Sequence, residues 1–393
     1  MDILFDIEQE RNYLISTRRH LHQNPELSSK EFKTAKFIEE QLKSFGIRSR
    51  RVGETGVLGT IIGNQGEGKT ILLRADIDAL PIKEETDITY RSQNDGVMHS
   101  CGHDAHTAAL LGAAKVLQGL RDNFAGKILL VFQQAEEFGH GSKFFLAESV
   151  TKGVDRAFGV HIMPNFPVGT VALARGADSA SCDYFKITVQ GKGAHISKPH
   201  LGIDTLQISS LIVLELGSLV RRLVDPFETA LIGIGKLSAG TTYNIIAETS
   251  ILEGTIRTFS HETQALLQKE IETVANRIAE NYGGSASVEF ETFASPLIND
   301  DTAYDEIYSI ATKIVGEENI ITDTMLIRGL GADDFSEFIR DVKGVYARVG
   351  TGNKNVPVTN NPLHSSKLDI DENSLLTSAR LHIEYALSIL KMH

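Results

Sequence analysis

Hydrophobic residues in the first part of the chain alternate between helical spacing and short continuous runs. The helical spacing predicts helices over residues 5–23, 28–46 and 105–120. The short apolar runs, which are typical of strands buried on both faces, lie at residues 56–63, 70–76, 126–133 and 155–161. This alternation over residues 1–175 predicts an α/β domain with a mostly parallel sheet.

Polar and conformationally special residues mark the ends of these helices. The first helix is predicted to end before Asn24-Pro25, because a residue that precedes proline avoids the helical region. Ser28 and Glu31 fit a capping box for the second helix, which Gly46 ends. Asp104 stands where it can cap the third helix.

From about residue 180 the pattern changes to the order β-α-β-β-α-β, which is the split ferredoxin-like motif. Its elements are predicted at 184–190, 202–223, 228–238, 248–259, 261–283 and 285–292. A helix near 301–315, a strand at 344–350 and a helix from about 371 then return to the first pattern. The sequence therefore predicts a discontinuous α/β domain, residues 1–179 and 294–393, with an inserted ferredoxin-like α+β domain at 180–293.

Composition and charge exclude several classes of protein. The chain has 393 residues and a net charge of −12, so it lacks the basic surface that nucleic-acid binding requires. Its longest apolar stretch, residues 206–220, is shorter than the roughly 20 residues that span a bilayer. The acidic N-terminus does not resemble a signal peptide, and two cysteines make no disulfide framework. We therefore expect a cytoplasmic protein without nucleic-acid or membrane partners.

Residue types that bind metal ions follow the predicted strands of the first domain or precede its third helix. They are Asp76, Asp78, Cys101, His103, Glu136, Glu137 and His161. Because open α/β sheets bind ligands at the carboxyl ends of their strands, we expect these side chains to meet at one edge. Thiolate, imidazole and carboxylate together suit zinc or a similar divalent metal.

Each of these residues has a simpler interpretation when it is taken alone. Cys101 can be a buried thiol, His161 a structural histidine, and the Glu136-Glu137 pair a solvated turn. Asp76 and Asp78 can cap a turn. Their joint occurrence at one predicted edge favours a metal site, in which one glutamate binds metal and its neighbour takes a proton from water.

A family resemblance rests on motifs that occur in a fixed order from about residue 18 to 375. They are "HLHQNPELSSKE", "RADIDALPI", "HSCGHDAHTAALLGAA", "QQAEE", "GVHIMPNFPVGT", "GKGAHISKPHLGIDT", "YNIIAE", "EGTIRTF" and "LHSSKLDIDE". Together they resemble the co-catalytic metallohydrolases that include aminoacylases, hippurate hydrolases and plant auxin-conjugate amidohydrolases. The motifs "CGHDAHTA" and "RADIDALP" are typical of the amidohydrolase branch.

The resemblance implies a role for each matching residue. The metal ligands would be Cys101, His103, Glu137, His161 and His364, with Cys101 bridging two divalent ions. Zinc or manganese is favoured, and cobalt or nickel also fits. The resemblance further implies Glu136 as general acid/base, Asp78 as the carboxylate that orients a ligand, His195 as oxyanion donor, and Asn244 and Arg257 as substrate contacts.

The resemblance also implies an activity and an assembly. The expected enzyme hydrolyses the amide bond of N-acyl amino acids, such as N-acetyl amino acids, to a carboxylate and a free amino acid. The inserted domain would be a lid and dimerisation domain, giving a homodimer or a higher homo-oligomer in which His195 reaches its own or the partner's metals.

Two alternatives stay open from the sequence. One is a metallo-dipeptidase or carboxypeptidase on the same fold, which Asp76 disfavours because the peptidase branch has a histidine ligand there. The other is a non-catalytic metal-binding scaffold, which Glu136 disfavours because a binder needs no base beside a ligand. We interpret His140 as a loop residue, and His99 and His106 as residues that lie behind the ligands or pack the helix.

Overall fold

The computed structural model describes residues 7–390, and its helices and strands are numbered here in chain order. The helices are α1 (Arg11–Gln23), α2 (Phe32–Ser44), α3 (His103–Gly119), α4 (Gly141–Ala147), α5 (Thr205–Leu223), α6 (His261–Asn281), α7 (Asp301–Val315), α8 (Thr324–Ile327), α9 (Ser336–Ile339) and α10 (Ser374–Leu390). Short 3₁₀ helices lie at Ile7–Glu10, Arg121–Asn123, Pro199–Leu201, Glu317–Asn319 and Pro357–Asn360.

The strands include the eight that the apolar runs and alternation predict in the first and inserted parts, together with short strands that they do not predict. They are β1 (Arg48–Val52), β2 (Gly56–Ile62), β3 (Thr70–Asp76), β4 (Lys127–Gln133), β5 (Arg156–Pro167), β6 (Val171–Ala172), β7 (Gly176–Ser179), β8 (Cys182–Gln190), β9 (Ala230–Ala239), β10 (Thr249–Thr258), β11 (Ser285–Ala294), β12 (Leu297–Asn299), β13 (Ile320–Ile321) and β14 (Gly344–Gly352).

The chain divides into two units, of which the second is inserted into the first. Unit 1 comprises Met1–Asp178, Ile298–Ile327 and Asp334–His393, and unit 2 comprises Ser179–Leu297 and Arg328–Asp333. The domain boundaries that the sequence predicts, 1–179 and 294–393 for the first domain and 180–293 for the inserted one, stay a prediction.

The large sheet of unit 1 has the strand order β1-β2-β4-β3-β5-β14-β6-β13. Its central strands β4, β3, β5 and β14 run parallel, while β1 and β2 add an antiparallel edge. Strand β3 is buried on both faces from Ile71 to Asp76, which explains its continuous apolar run. The carboxyl ends of β3 and β4 therefore open on the same edge of the sheet.

Helix α3 is the central helix of unit 1 and carries the cysteine-histidine motif at its N-terminus. It packs against α1, α10 and β3, and nearly all of its residues are buried. A helix that is apolar all round is typical of a domain core. Each fully buried leucine, such as Leu110 or Leu111, contributes about 1.5–3 kcal/mol through removal of its side chain from water.

Unit 2 has the predicted ferredoxin-like order β8-α5-β9-β10-α6-β11, with a sheet ordered β11-β8-β10-β9. Every ladder of this sheet is antiparallel. Phe185, Ile187 and Val189 alternate along β8 and join the core that α5 and α6 contribute to. Helix α5 contains the apolar stretch noted above, and no helix within residues 7–390 has the length and hydrophobicity that crossing a bilayer demands.

Two predicted helix caps are wrong, and both polar groups have distant partners instead. Helix α2 begins at Phe32 without a side-chain cap, because Ser28 donates to Asp78 and Glu31 accepts from the backbone of Ser29. Asp104 lies inside the first turn of α3 rather than at its N-cap, where it pairs with Arg18 and His22.

The first helix also differs from its prediction. Helix α1 begins at Arg11, and a 3₁₀ helix precedes it at Ile7–Glu10. The predicted start at residue 5 lies outside the described residues. Gly46 follows α2 with a φ of +77°, as the glycine stop requires.

Candidate active site

Six of the sequence-predicted site residues converge in unit 1. Three overlapping groups, in each of which the ligand atoms lie within 4.8 Å of one another, consist of Cys101, His103, Glu136, Glu137, His161 and His364. Cys101 belongs to one group with His103 and His161, and to another with Glu137 and His364. The thiol is therefore the shared member of two potential ligand sets.

The orientation of His103 is fixed by hydrogen bonds to two oxygen atoms of Asp78. Its Nδ1 lies 2.9 Å from the Asp78 carbonyl and 3.1 Å from Oδ1, and both are acceptors, so Nδ1 carries the proton. Nε2 is left facing the cluster, 3.9 Å from Glu136 Oε2 and 4.0 Å from Glu137 Oε1. Asp78 thus has the contact with a ligand histidine that an orienting carboxylate needs.

His161 has the same arrangement with a different acceptor. Its Nδ1 donates to the carbonyl of Ile162 at 2.6 Å, which directs Nε2 to a position 3.6 Å from Cys101 Sγ. Burial, with a smaller contribution from His106, holds the pKa of His161 well below its ordinary value. The ring is therefore neutral, which is the state in which imidazole binds metal.

The Asp76 carboxylate is part of a buried hydrogen-bond network with Arg74 and His106. It accepts from Arg74 at 2.7 Å and from His106 Nδ1 at 2.6 Å. His106 Nε2 in turn accepts from the backbone N–H of Ile162 at 2.9 Å, so both its ring nitrogens are engaged. His106 therefore ties the end of β3 to β5, beside His161.

The loop that carries the paired glutamates is held at several points. Ala135, directly before them, has a φ of +51°, and the N–H of Glu137 donates to Asp78 Oδ2 at 3.1 Å. After the loop, Ser142 N–H donates to Asp334 Oδ2 at 3.0 Å. A side chain at Gly141 would place its Cβ 1.6 Å from the Gln134 carbonyl, so the turn into α4 requires glycine.

His364 comes from the loop before α10 and has an unusual backbone conformation. Its φ is +63°, its N–H donates to the Ser100 carbonyl at 2.7 Å, and its Nε2 lies 3.4 Å from Glu137 Oε1. For a residue other than glycine this left-handed conformation costs about 1–2 kcal/mol. Such strain is typical of functional sites, where the surrounding structure enforces it.

The electrostatics of the cluster suit a bound cation. Burial raises the pKa of the Cys101 thiol well above its ordinary value, and Glu137 adds to the effect. Burial opposes charge on His103, yet Asp76, Cys101 and Asp78 outweigh it and raise the pKa of that imidazole. The cluster thus favours added positive charge. His103 Nε2 and Glu137 Oε1 are among the buried side-chain atoms of residues 7–390 that have no hydrogen-bond partner. These residues therefore fit a divalent metal.

Three further predicted residues lie in unit 2. His195 Nδ1 accepts from the N–H of Ser197 at 3.1 Å, so in the neutral ring the proton is on Nε2 and can be donated. Asn244 lies on a neighbouring loop, and its backbone carbonyl accepts from the N–H of Ile196 at 3.0 Å. Arg257 lies within β10, half-buried, and its Nη1 donates to the carbonyl of Leu330 at 3.5 Å.

Several residues that support the site were not singled out from the sequence. Ser28 donates to Asp78, and Glu31 accepts from the N–H of Ala135, although the sequence predicts a helix cap for both. Asp334, for which the sequence predicts no role, accepts from the N–H of Ser142. His140 precedes α4 with Nδ1 3.3 Å from Lys143 Nζ, and among the described residues it joins none of the metal-type groups.

Comparison with known proteins gives consistent matches over most of the chain. The sequence profile of the Peptidase family M20/M25/M40 matches residues 72–388. The N-acetyl-L-cysteine deacetylase of Bacillus subtilis is 38% identical over 378 residues, covering 96% of this chain and 88% of that protein. The thermostable carboxypeptidase 2 of Saccharolobus solfataricus is 38% identical over 382 residues, covering 96% of this chain and 95% of that protein. The crystal structure of a Bacillus subtilis dinuclear metal-binding peptidase of the M20 family has a TM-score of 0.84 at 31% identity, covering 98% of this chain and 100% of that chain.

Proposed function

The chain belongs to the Peptidase family M20/M25/M40, and from that premise we propose that it is a metal-dependent hydrolase that cleaves the amide bond of N-acyl amino acids. The observation that carries the proposal is the cluster around Cys101, in which two glutamates face His103 Nε2. The N-acetyl-L-cysteine deacetylase, with 38% identity over nearly the whole chain, supports this substrate class. The products would be a carboxylate and a free amino acid.

We propose that the cluster holds two divalent ions. The ligands would be Cys101, His103, Glu137, His161 and His364, with Cys101 as the bridge, since it belongs to two of the groups. Bound divalent ions supply Lewis-acid polarisation of the amide carbonyl and make water acidic enough to be deprotonated near neutral pH. Zinc or manganese is the favoured metal, and cobalt or nickel fits the same donors.

Glu136 is the residue we assign to proton transfer. Its Oε2 lies 3.9 Å from His103 Nε2, so it faces the ligand cluster, while the adjacent Glu137 contacts His364. In the proposed reaction Glu136 accepts a proton from the attacking water and passes it to the leaving amide nitrogen. The amino acid is then released as a free amine.

Unit 2 supplies the groups that we assign to the substrate. His195 holds its proton on Nε2, so it can donate to the oxygen that becomes negative in the tetrahedral state. The Arg257 guanidinium suits two-point binding of the amino-acid carboxylate, and Asn244 is proposed to contact the substrate beside it. This division predicts that a free carboxylate on the substrate matters for binding.

A peptidase is the second candidate, because the carboxypeptidase from Saccharolobus solfataricus is equally similar. A dipeptidase must recognise a free substrate amine, whereas an N-acyl amino acid offers none. The decisive experiment loads the protein with defined metals and compares hydrolysis of N-acetyl amino acids, N-acyl variants and unblocked dipeptides. Faster cleavage of dipeptides than of N-acetyl amino acids would reject the amidohydrolase proposal.

The carboxylate assignment has its own test. We expect Arg257→Ala to slow hydrolysis of N-acetyl amino acids far more than that of their methyl esters, because the ester has no carboxylate to pair. The comparison measures kcat/KM for each acid and ester with both proteins. Equal losses for acid and ester would show that Arg257 does not bind the carboxylate.

The assembly we propose is a homodimer through unit 2, with a higher homo-oligomer as the alternative. Strand β9 forms one edge of the unit 2 sheet. Leu214 on α5 is 73% exposed, and Phe227 before β9 is 99% exposed. An edge strand beside exposed apolar residues suits pairing with a second copy. A cytoplasmic location stays a prediction from the sequence.

A further inference from the structure

Glu31 is a fully buried carboxylate whose hydrogen bonds join three separate segments of unit 1. Its Oε1 accepts from the N–H of Ser29 and from the N–H of Ala135, both at 2.9 Å. Its Oε2 accepts from the Thr55 hydroxyl at 2.7 Å. The side chain is 0% exposed, so these bonds replace its entire hydration.

Both backbone donors belong to residues with positive φ. Ser29 has a φ of +63° and Ala135 a φ of +51°, and neither is glycine. A left-handed conformation at such residues persists only when surrounding contacts enforce it. A buried side-chain oxygen that accepts from the N–H of each is a contact of this kind.

The two held residues flank the candidate catalytic groups. Ala135 directly precedes Glu136, so its backbone angles set the direction in which the glutamate loop leaves β4. Ser29 follows Ser28, whose hydroxyl donates to Asp78 Oδ2 at 2.7 Å, and Asp78 contacts His103. One carboxylate therefore braces the segment behind a ligand histidine and the turn before the paired glutamates.

We propose that Glu31 is a positioning residue for Glu136, acting through the left-handed turn at Ala135. The proposal rests on the proposed function for the role of Glu136 in proton transfer, but the hold on Ala135 is independent of it. The contrasting explanation is that Glu31 merely supports the start of α2, whose first residue is its neighbour Phe32.

The chain offers a matched control for that contrast. Glu26 lies in the same segment and accepts from both the N–H and the hydroxyl of Thr34 in α2, at 2.8 and 3.0 Å. It therefore supports the same helix, and its side-chain bonds do not involve the glutamate loop. Glu26→Ala removes helix support alone.

Three substitutions at Glu31 separate the explanations. Glu31→Met fills the volume of the glutamate side chain but offers no oxygen acceptor. If Glu31→Met does not fold, Glu31→Asp is used instead, because its carboxylate is withdrawn by one methylene. Glu31→Gln keeps an oxygen for the two N–H groups and lets its amide donate to Thr55. The double variant combines Glu31→Met with Ala135→Gly. Glycine adopts positive φ without penalty, so the turn at position 135 should then need less support from Glu31.

Hydrogen exchange measured by mass spectrometry tests the hold on the turn without any substrate. We expect the amides of residues 134–141 to exchange about tenfold faster or more in Glu31→Met, because the side-chain acceptor of the Ala135 N–H is lost. Glu26→Ala and Glu31→Gln should leave these amides unchanged. Unchanged exchange in Glu31→Met, or equal acceleration in Glu26→Ala, would overturn the proposal.

Kinetics on folded, metal-loaded protein test the consequence for catalysis. We expect Glu31→Met to lower kcat by about 10²-fold with little change in KM, as for a small misplacement of a catalytic group. Glu31→Gln should retain most of the activity. The double variant Glu31→Met with Ala135→Gly should be more active than Glu31→Met alone. Faster exchange with unchanged kcat would overturn the role in positioning. If the unmutated protein hydrolyses no N-acyl amino acid, the proposed function fails, and the exchange result alone decides whether Glu31 holds the turn.

Discussion

At the scale of single residues, the proton position on each histidine ring separates the candidate ligands from the candidate donor. His103 and His161 both donate from Nδ1 to oxygen, which leaves Nε2 for the cluster. His195 does the reverse, because its Nδ1 accepts from a backbone N–H. A neutral imidazole offers one donor and one acceptor, so backbone contacts alone suffice to assign these opposite roles.

Substitution of the two adjacent glutamates is predicted to have different effects on catalysis and on metal content. Glu136→Gln keeps the shape of the side chain but cannot take a proton, so kcat should fall by about 10²–10⁴-fold or more with metal content unchanged. Glu137→Gln should instead reduce the metal content. Steady-state kinetics with elemental analysis of both variants distinguishes the roles. A fall in kcat below about tenfold for Glu136→Gln would make Glu137 or Asp78 the next candidate base.

Cys101 is predicted to hold both metal ions. Cys101→Ala should lose both ions, or retain one weakly, because its Sγ is shared by two ligand groups. Cys182→Ala is the control, since that thiol lies in β8 of unit 2. Elemental analysis after dialysis measures the outcome. Two ions still bound to Cys101→Ala would disprove the bridging assignment.

At the scale of secondary-structure elements, the N-terminus of α3 depends on one glycine. Gly102 is the N-cap residue, with a φ of +84°, and it stands between Cys101 and His103. An added Cβ would lie 2.3 Å from Ile162 Cγ1, on the strand that carries His161. The glycine therefore allows the helix start and β5 to approach closely enough for their side chains to meet.

We predict that Gly102→Ala damages both stability and metal binding. The left-handed backbone costs about 1–2 kcal/mol for alanine, and overpacking against Ile162 adds about 1–3 kcal/mol. Gly119→Ala, at the other end of α3 with open space around its Cβ, is the matched control. Thermal unfolding and metal content are measured for both variants. Equal stability and metal content in both variants would contradict this account of the helix start.

At the scale of the whole molecule, the question is which chain supplies His195 to a given metal cluster. We predict supply from the partner in a homodimer. Glu136→Gln and His195→Ala should each be nearly inactive alone, because each lacks one required group. In a mixed dimer, the His195→Ala chain keeps intact metals and Glu136, and the other chain keeps His195.

Mixing the two variants therefore gives opposite results for the two arrangements. With supply from the partner, one site of each mixed dimer regains both groups, and a statistical mixture has about a quarter of the wild-type activity. With supply within one chain, mixing restores nothing. A tagged pull-down must first establish that the subunits exchange. Absence of recovery after proven exchange would exclude supply from the partner.

Local pattern was sufficient for the main elements of this chain. The apolar runs predict β2, β3, β4 and β14 within one or two residues, because strands buried on both faces need continuous apolar sequence. The period-2 and helical patterns of unit 2 likewise determine its element order. Short strands such as β6 and β13 have too few residues to form a pattern, so tertiary contacts alone define them.

The kinds of residue that can bind metal could also be read from the sequence, but their hydrogen-bond partners could not. Ser28 and Glu31 match a capping box, yet their partners include Asp78 and Ala135, which are distant in sequence. Periodicity encodes which face of an element is buried, since burial depends on the side chain's own polarity. A buried polar group bonds to the donor or acceptor that packing places beside it, and only the tertiary structure decides which one that is.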